Sequence, residues 1–465
     1  MIANIPPSII RQYITVVIVN LATLTSGMSI AWPSPVILKL QNGTDTPFSR
    51  PITNEESSWT VSGGYLLSIT INAIGGILLE KNGRKRCIIM SSLPKFIMAV
   101  LCIFLTEVWM LILVRAIWIL FDCFTYTIVS VYVSEIASKE HRGSLGSLLQ
   151  VSSCLGVLIT LSVGPFISYT ALNTFIATMI ALTIVPQFFL PDSPYHLYFK
   201  EREEEAIRVL KLIRESDTKI KEELEDYRIS KDDGKINKMS LFKDRIFLKS
   251  LALGILLCAS TNLVGFSAVS YYLQTIFETT NTKLPSEIAS VIIGCTQLFA
   301  ALCTNFASNK FGRRTILLSS LCGIFFGMIG LGTFFKVSES SDYVVSGFMN
   351  YLPLISVILV IYFYSAGVGS VFWFVIAELF DSQHRGFGVC LSQIATVLFI
   401  FITSKYFPIM TTVMGPVETY FFFAVLCILF GVLIAIFLPE TKGKTLQEIQ
   451  AALGGGNIKK KDQEI

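Results

Sequence analysis

Charged side chains in this 465-residue chain gather at a few repeated places, and the chemistry open to them there is ion pairing. Glu135 stands six residues before His141-Arg142-Gly143, and Glu378 six residues before His384-Arg385-Gly386. Gly83-Arg84-Lys85-Arg86 returns 229 residues later as Gly312-Arg313-Arg314, and Pro191-Asp192-Ser193-Pro194 returns as Pro439-Glu440-Thr441. Carboxylates and guanidinium groups in such loops can pair and part without any covalent step. Two further charges, Lys95 and Asp122, lie inside apolar runs, where each alone costs about 2.5 to 3.5 kcal/mol at a bilayer centre. Catalytic chemistry is thinly represented. No apolar run holds a histidine, Gly443-Lys444-Thr445 lacks the upstream glycine of a phosphate-binding loop, and the ten cysteines show no metal-type spacing. An enzyme, a metal site, a cofactor and a disulfide framework are therefore not expected.

The elements that carry these charges are set by composition. With 52% hydrophobic and 15% charged residues, the bilayer is the expected solvent. Spanning helices are expected near 12–38, 59–79, 87–105, 109–133, 146–169, 171–190, 247–277, 286–308, 315–335, 351–379, 387–410 and 418–438. A formal charge of +4 is too small to argue for nucleic acid, so the placement of cations matters more than their sum. They crowd the second, fourth and eighth connections (Lys81, Arg84, Lys85, Arg86; Lys139, Arg142; Lys310, Arg313, Arg314) and the tail. That places the even-numbered connections and both termini in the cytoplasm. Asn42-Gly43-Thr44, the one glycosylation sequon, then falls outside.

Between 200 and 249 the composition inverts, with 27 of 50 residues charged. Ala206, Val209, Leu210 and Ile213 form one apolar stripe and Ile220, Leu224 and Tyr227 another, so two or three amphipathic helices are expected beneath the bundle. The three repeated motif pairs occur in the same order on either side of this insert. The expected organisation is a six-helix bundle at 1–190, a cytosolic helical linker at 191–246, a second six-helix bundle at 247–440 and a cytosolic tail at 441–465. Two similar halves around a central site suit a carrier.

Depth counting gives Lys95 and Asp122 a possible partner in each other. The third and fourth spans form a hairpin turning near residue 107, twelve residues from Lys95 and fifteen from Asp122, a depth difference of about 4.5 Å at ~1.5 Å per residue. Pairing, snorkelling of Lys95 to the cytosol and titration of Asp122 as a proton site are all open. Arg115 is a poorer partner for Asp122, roughly 10 Å along the same helix.

Gly76-x-x-x-Glu80-x-x-Gly83-Arg84-Lys85, Ser134-Glu135-Ile136-Ala137-Ser138-Lys139-Glu140-His141-Arg142-Gly143, Pro191-Asp192-Ser193-Pro194, Gly312-Arg313-Arg314, Ala377-Glu378-Leu379-Phe380 with Arg385-Gly386, and Pro439-Glu440-Thr441-Lys442-Gly443 resemble the signature set of the sugar porter family within the major facilitator superfamily. Within it, the chain resembles insect facilitated trehalose transporter-like proteins. The resemblance implies an all-α membrane protein of twelve spans in two pseudo-symmetric bundles, working as a facilitative transporter of a hexose or trehalose by alternating access. Its partners would be a small sugar and the lipid bilayer, its place the plasma membrane, and its oligomeric state is left open. Glu80, Arg84, Lys85, Glu135, Arg142, Asp192, Arg313, Arg314, Glu378, Arg385 and Glu440 would form a cytoplasmic lock, with Gly83 and Gly312 in left-handed turns.

The same resemblance carries the sugar site onto Gln150, Gln297 and Trp373, with Tyr271 and Tyr272 as outer gate. The seventh-span pattern is eroded to Thr261-Asn262-Leu263-Val264-Gly265-Phe266-Ser267, and Thr396-Val397 replaces an Asn-Trp pair in the eleventh. Thr261, Asn262, Ser267 and Thr396 are thus weaker candidate ligands. Gly367-Val368-Gly369 keeps the tenth-span glycines without the family's prolines, which leaves a weakened helix. The first span has no acid where proton-driven relatives carry aspartate, which favours facilitated diffusion. A non-transporting sugar sensor and a proton-coupled symporter are the alternatives.

Overall fold

The computed structural model describes residues 6–43, 45–138, 141–232, 244–280, 285–339, 347–380, 385–442 and 448; for 142–143, 229–232, 305–309, 373–374, 377 and 385–386 only the backbone is described. Twelve helices among them are long and apolar enough to cross a membrane: Pro7–Asn42, Asn54–Asn82, Arg84–Phe104, Val108–Ile136, Ser144–Phe166, Tyr169–Gln187, Arg245–Tyr271, Ser286–Thr304, Arg313–Ser338, Leu352–Phe372, Phe387–Val413 and Pro416–Phe437. They are the first to twelfth spans below. The chain divides into two compact units, one of Met1–Ile52 with Gly63–Ile236, the other of Thr53–Ser62 with Asn237–Ile465.

In the first unit, spans 1 and 5 approach backbone to backbone. A Cβ on Gly27 would sit 2.0 Å from the Ser153 carbonyl oxygen, and one on Gly156 2.0 Å from that of Leu24. Small residues permit this approach, and dispersion across it holds helices that lipid alone would not drive together. Two apolar clusters flank the crossing. Trp32, Leu111, Trp118, Tyr169 and Leu172 are buried in one, and Ile128, Tyr132, Val133 and Ile136 in the other.

The insert folds as Pro194–Phe199, Glu203–Ile213 and Asp217–Asp232. Leu210, Ile213, Ile220 and Tyr227 join the cluster of Tyr132 and Val133, so the described part of the insert packs as one body with the first unit rather than as a separate layer. Arg214 fastens it, donating Nη1 to the Ile136 carbonyl at the end of the fourth span (2.8 Å) and pairing through Nε and Nη2 with Glu223 at 2.6 and 2.8 Å. Gln12 donates to the Ile213 carbonyl and accepts from the Ser138 amide, which ties the first span to the same place.

The second unit contains two interrupted spans. The seventh stops at Asn262 and restarts at Phe266, and between them Gly265 adopts φ +86°, with the Phe423 ring 2.8 Å from where a Cβ would be. Only glycine enters that conformation against that ring without strain. The tenth changes at Tyr364–Val368 into a π turn between Leu352–Phe363 and Gly369–Leu379. Hydroxyls satisfy the disturbed backbone: Ser320 donates to the Phe363 carbonyl (2.6 Å) and accepts from the Val368 amide (3.0 Å), while Ser370 and Thr304 both donate to the Ser365 carbonyl. Inside a membrane such a break survives because these side chains replace the missing helical bonds. The tenth span is thus interrupted although it lacks the family's prolines, whose absence argued for a more regular helix.

Candidate functional site: charges within the spans and at their ends

Three groups of residues carry the chemistry. The first lies within the first unit, where Lys95 of the third span is fully buried and its ammonium stands 3.6 Å from Asp122 Oδ1 of the fourth. The same ammonium donates to Ser26 Oγ at 3.1 Å and to the Ala22 carbonyl at 3.3 Å, both on the first span. Arg115, also buried, reaches the first span a turn further along. It donates to Ser29 Oγ at 3.0 Å and the Ser29 carbonyl at 3.2 Å, with its guanidinium over Trp32 and Trp118 at 4.5 and 5.1 Å from the ring centroids. Three spans are thereby joined by two cations, one carboxylate and two serines. Opposite charge, hydroxyls and aromatic faces offset part of the desolvation cost of these buried charges.

The second group sits at the ends of the fourth and tenth spans. In the first unit Arg84 donates Nη2 and Nε to Glu135 Oε1 at 2.7 and 3.1 Å, and the other carboxylate oxygen accepts from Ser193 Oγ. Tyr132 donates to the Pro191 carbonyl, holding that loop in place. In the second unit Arg313 lies 3.8 Å from Glu378 Oε1, and Oε2 accepts from Thr441 Oγ1 at 2.6 Å. The two halves repeat one arrangement of arginine, glutamate and hydroxyl. Ser193 and Thr441 were absent from the expected set, although both follow the acid of the repeated proline motif and could have been found by aligning the copies. Glu80 is exposed, Lys85 and Asp192 half-buried; the Arg142 and Arg385 side chains lie outside the described residues.

Glu440 has a different task. Its Oε1 accepts from the Arg313 amide at 2.8 Å and the Lys442 amide at 3.0 Å, and its Oε2 from the Arg314 amide at 3.2 Å, so it closes the N-terminus of the ninth span. Burial pushes this carboxyl up, but the backbone N–H donors outweigh it and hold the group below its ordinary range. Arg314 donates to the Ala435 carbonyl near the end of the twelfth span. Gly83 has the expected positive φ (+83°), but with ψ 160° it takes an extended conformation open to glycine and not the expected left-handed helical turn, and Gly312 has neither. Gly312 is extended at φ −68°, and a Cβ there would lie 2.3 Å from Glu440 Oε2, so a larger residue would displace that carboxylate from the amides it accepts from. The mirror neighbour of Gly83 is His196, whose imidazole is pushed down to about 4 by burial and then by the Arg84 cation.

Glu440→Gln is expected to lower thermal stability at neutral pH without changing the fold. Because the folded pKa is depressed, the carboxylate's contribution is complete above the unfolded value of about 4.3 and disappears as pH falls through the folded one. Melting curves should therefore separate the variant from the parent at pH 7 and bring them together in acid. A pH-independent difference would deny Glu440 its charged role.

The third group comprises the expected sugar contacts. Gln150 and Gln297 are half-buried; Gln150 Nε2 donates to Cys154 Sγ at 3.5 Å, a weak acceptor that engages one of the amide's two N–H groups. Thr261 and Asn262 are buried and donate to the Leu257 and Cys258 carbonyls of their own helix, and Thr396 to that of Ser392. Ser267, Tyr271 and Tyr272 are buried, Tyr272 with its ring 5.5 Å from that of Phe407. The side chain of Trp373 lies outside the described residues. Asn42 is exposed at the end of a helix closed by Gly43 at φ +66°.

The sequence matches the family described as "Sugar (and other) transporter" over residues 15–453. It is similar to the facilitated trehalose transporter of Polypedilum vanderplanki, 26% identical over 459 residues that cover 97% of this chain and 89% of the relative. It is also similar to mouse solute carrier family 2, facilitated glucose transporter member 6, 25% identical over 456 residues that cover 95% and 91%. Among solved structures, the partially occluded inward-open xylose transporter of E. coli matches with a TM-score of 0.79 at 19% identity, over 94% of this chain and all of that one. A second structure, the proton:xylose symporter of the major facilitator superfamily bound to 6-bromo-6-deoxy-D-glucose, gives 0.77 at 20% identity over 96% and 100%. The fold is that of the major facilitator superfamily.

Proposed function

Since this chain belongs to the sugar transporter family, we propose that it carries a hexose or trehalose down its gradient across the plasma membrane by alternating access. The observation that carries this reading is the repeated Arg84–Glu135–Ser193 and Arg313–Glu378–Thr441 arrangement. Groups that exchange partners without covalent change suit a switch between two conformations, and here each half has its own copy. Together with Arg142 and Arg385 they act as the cytoplasmic lock. The basic connections and both termini face the cytoplasm, and Asn42 faces outward, where it can carry a glycan.

Gln150 and Gln297 are the principal polar contacts to the sugar, because an amide offers both a donor and an acceptor to hydroxyls. Thr261 and Thr396 commit their one donor to their own helices, so they contribute through acceptor atoms or through shape, whereas the Asn262 amide, with one of its two N–H groups on the Cys258 carbonyl, retains a donor as well as its acceptor oxygen. Trp373 supplies an apolar face to the ring, and Tyr271 and Tyr272 the outer gate. Gln150→Ala should weaken sugar uptake by roughly 1 to 3 kcal/mol in apparent affinity while surface expression is unchanged. Unaltered uptake kinetics would remove Gln150 from the site.

One observation favours a second reading, proton coupling: the Lys95 ammonium joins Ser26 of the acid-free first span to Asp122. Against it, protonating Asp122 would take away the carboxylate that accompanies two buried cations. Uptake of labelled glucose and trehalose into vesicles, with and without a proton gradient, decides between them. Equilibration insensitive to the gradient supports facilitation, gradient-driven accumulation supports coupling, and binding without uptake would make the protein a sensor.

A further inference from the structure

The exposed side chains of the fourth span change character along its length. Trp109 and Leu113, in its first turns, are 60% and 50% exposed, and the next exposed positions are Ser130 and Ser134. Cys123, Tyr126, Thr127, Ser130 and Ser134 follow the spacing of one helical face, the first three half-buried and the last two exposed. Tryptophan and leucine exposed on a membrane helix meet lipid, whereas exposed serines on the same helix meet water. One end of the span is therefore lipid-facing, and the other opens on water along the stripe that holds Tyr126.

Other hydroxyl protons on this stripe are already committed. Thr127 donates to the Cys123 carbonyl (3.3 Å), Ser130 to that of Thr127 (2.9 Å) and Ser134 to that of Val131 (2.7 Å), so these residues offer only lone pairs. Tyr126 differs. Its hydroxyl lies 2.6 Å from Ser153 Oγ of the fifth span, and neither oxygen has another partner among the described residues. Two hydroxyls that share one hydrogen bond keep one O–H free, whichever of them donates. The pair thus retains a donor as well as acceptors. Its position is fixed from behind: Ser153 is 7% exposed, and its carbonyl is the one packed against Gly27 where the first and fifth spans cross. Gln150 stands on the same face of the fifth span as Ser153, one turn before it, at a rise of about 4.5 Å.

An apolar face bordered by a few placed donors and acceptors is the usual composition of a small-molecule site. Phenylalanine would supply the face and serine the polar group, but a tyrosine bonded to Ser153 supplies both. We propose that Tyr126 is a further sugar contact of the first unit, its ring lying against the C–H face of a hexose unit while the Tyr126–Ser153 pair gives its free O–H to a sugar oxygen beside the Gln150 amide. That the ligand is a sugar rests on the carrier reading above. The contact itself rests on the wet stripe, the uncommitted proton and the ring fixed through Ser153.

The test uses full-length protein in lipid vesicles, with uptake of labelled glucose and trehalose measured beside melting curves for the unsubstituted protein, Tyr126→Phe and Tyr126→Ala. Tyr126→Ala should raise KM about tenfold and Tyr126→Phe, which keeps the ring, about threefold, with kcat little changed. A fall in kcat or melting temperature at unchanged KM makes Tyr126 structural and overturns the contact. Should Tyr126→Ala fail to fold, the Phe variant decides. Protection by sugar gives a second readout that needs no transport. In Ser130→Cys, a small methanethiosulfonate added to both sides modifies position 130, one turn from Tyr126, and peptide mass mapping follows the rate. Glucose or trehalose should slow that modification, and adding Tyr126→Phe should weaken the protection at the same sugar concentration. Where the unsubstituted protein takes up sugar, KM decides, and an unchanged KM in both variants overturns the contact while the carrier reading stands. Where it takes up neither sugar, the carrier reading falls. Protection that Tyr126→Phe weakens then upholds the contact, and protection that is absent or unaltered overturns it.

Discussion

Neutralising either Lys95 or Asp122 is expected to cost about 3 to 5 kcal/mol, because each change strands the other charge in a dry core. Lys95→Met leaves Asp122 without the ammonium 3.6 Å away and cuts the third span from Ser26 and the Ala22 carbonyl. Asp122→Asn leaves Lys95 with neutral partners only. The double variant removes both charges and exchanges them for an amide and a thioether of similar bulk, so it should recover much of the loss in yield and melting temperature. Strictly additive losses would show that the two side chains do not act as a pair. Arg115 provides the internal comparison. Its contacts run to Ser29 and two tryptophans, so Arg115→Met combined with Asp122→Asn should recover less than Lys95→Met with the same partner.

A second large effect is expected where the first and fifth spans cross. In Gly156→Val or Gly27→Val the new Cβ meets a backbone carbonyl oxygen at 2.0 Å, and no side-chain rotation relieves a clash with backbone. The helices must move apart, which forfeits dispersion along the crossing and disturbs Ser26 and Ser29 on the same span, the residues that serve Lys95 and Arg115. Overpacking of this kind typically costs 1 to 3 kcal/mol, and contact with backbone places it at or above the top of that range. Gly76→Val, at a position with nothing within 4 Å of the new Cβ, serves as control and should leave yield and melting unchanged. Equal stability of Gly156→Val and Gly76→Val would show that the crossing is looser than described.

Much of the architecture was legible in the chain because a bilayer imposes a one-dimensional code. Every span needs a long apolar run, so the runs predict twelve helices, and twelve are present among the described residues, with limits that differ from the expected ones by up to seven residues. The apolar stripes of Leu210, Ile213 and Ile220 required something to cover, and they cover the end of the fourth span. Depth along a hairpin is also a one-dimensional quantity, which is why counting from residue 107 brought Lys95 and Asp122 to one level. Repetition is visible without geometry too: Glu135 and Glu378, found by their motifs, each end beside an arginine of the neighbouring loop.

What the chain could not convey is rotation about each helix axis and contact between spans distant in sequence. Hydropathy alone does not say that Arg115 turns toward Ser29 and two tryptophans, nor that Thr261 and Asn262 each turn a donor back on their own helix. Gly312 reads like Gly83, yet one has a negative φ beside the Glu440 carboxylate and the other a positive φ beside His196, because the loop packed against each differs. The boundary between units likewise falls inside a continuous helix, at Ser62 and Gly63, where sequence offers only two glycines. Apolar periodicity is set by the solvent and can be read residue by residue; the partner of a buried polar group is set by which neighbour the packed fold turns toward it, and that is decided only in three dimensions.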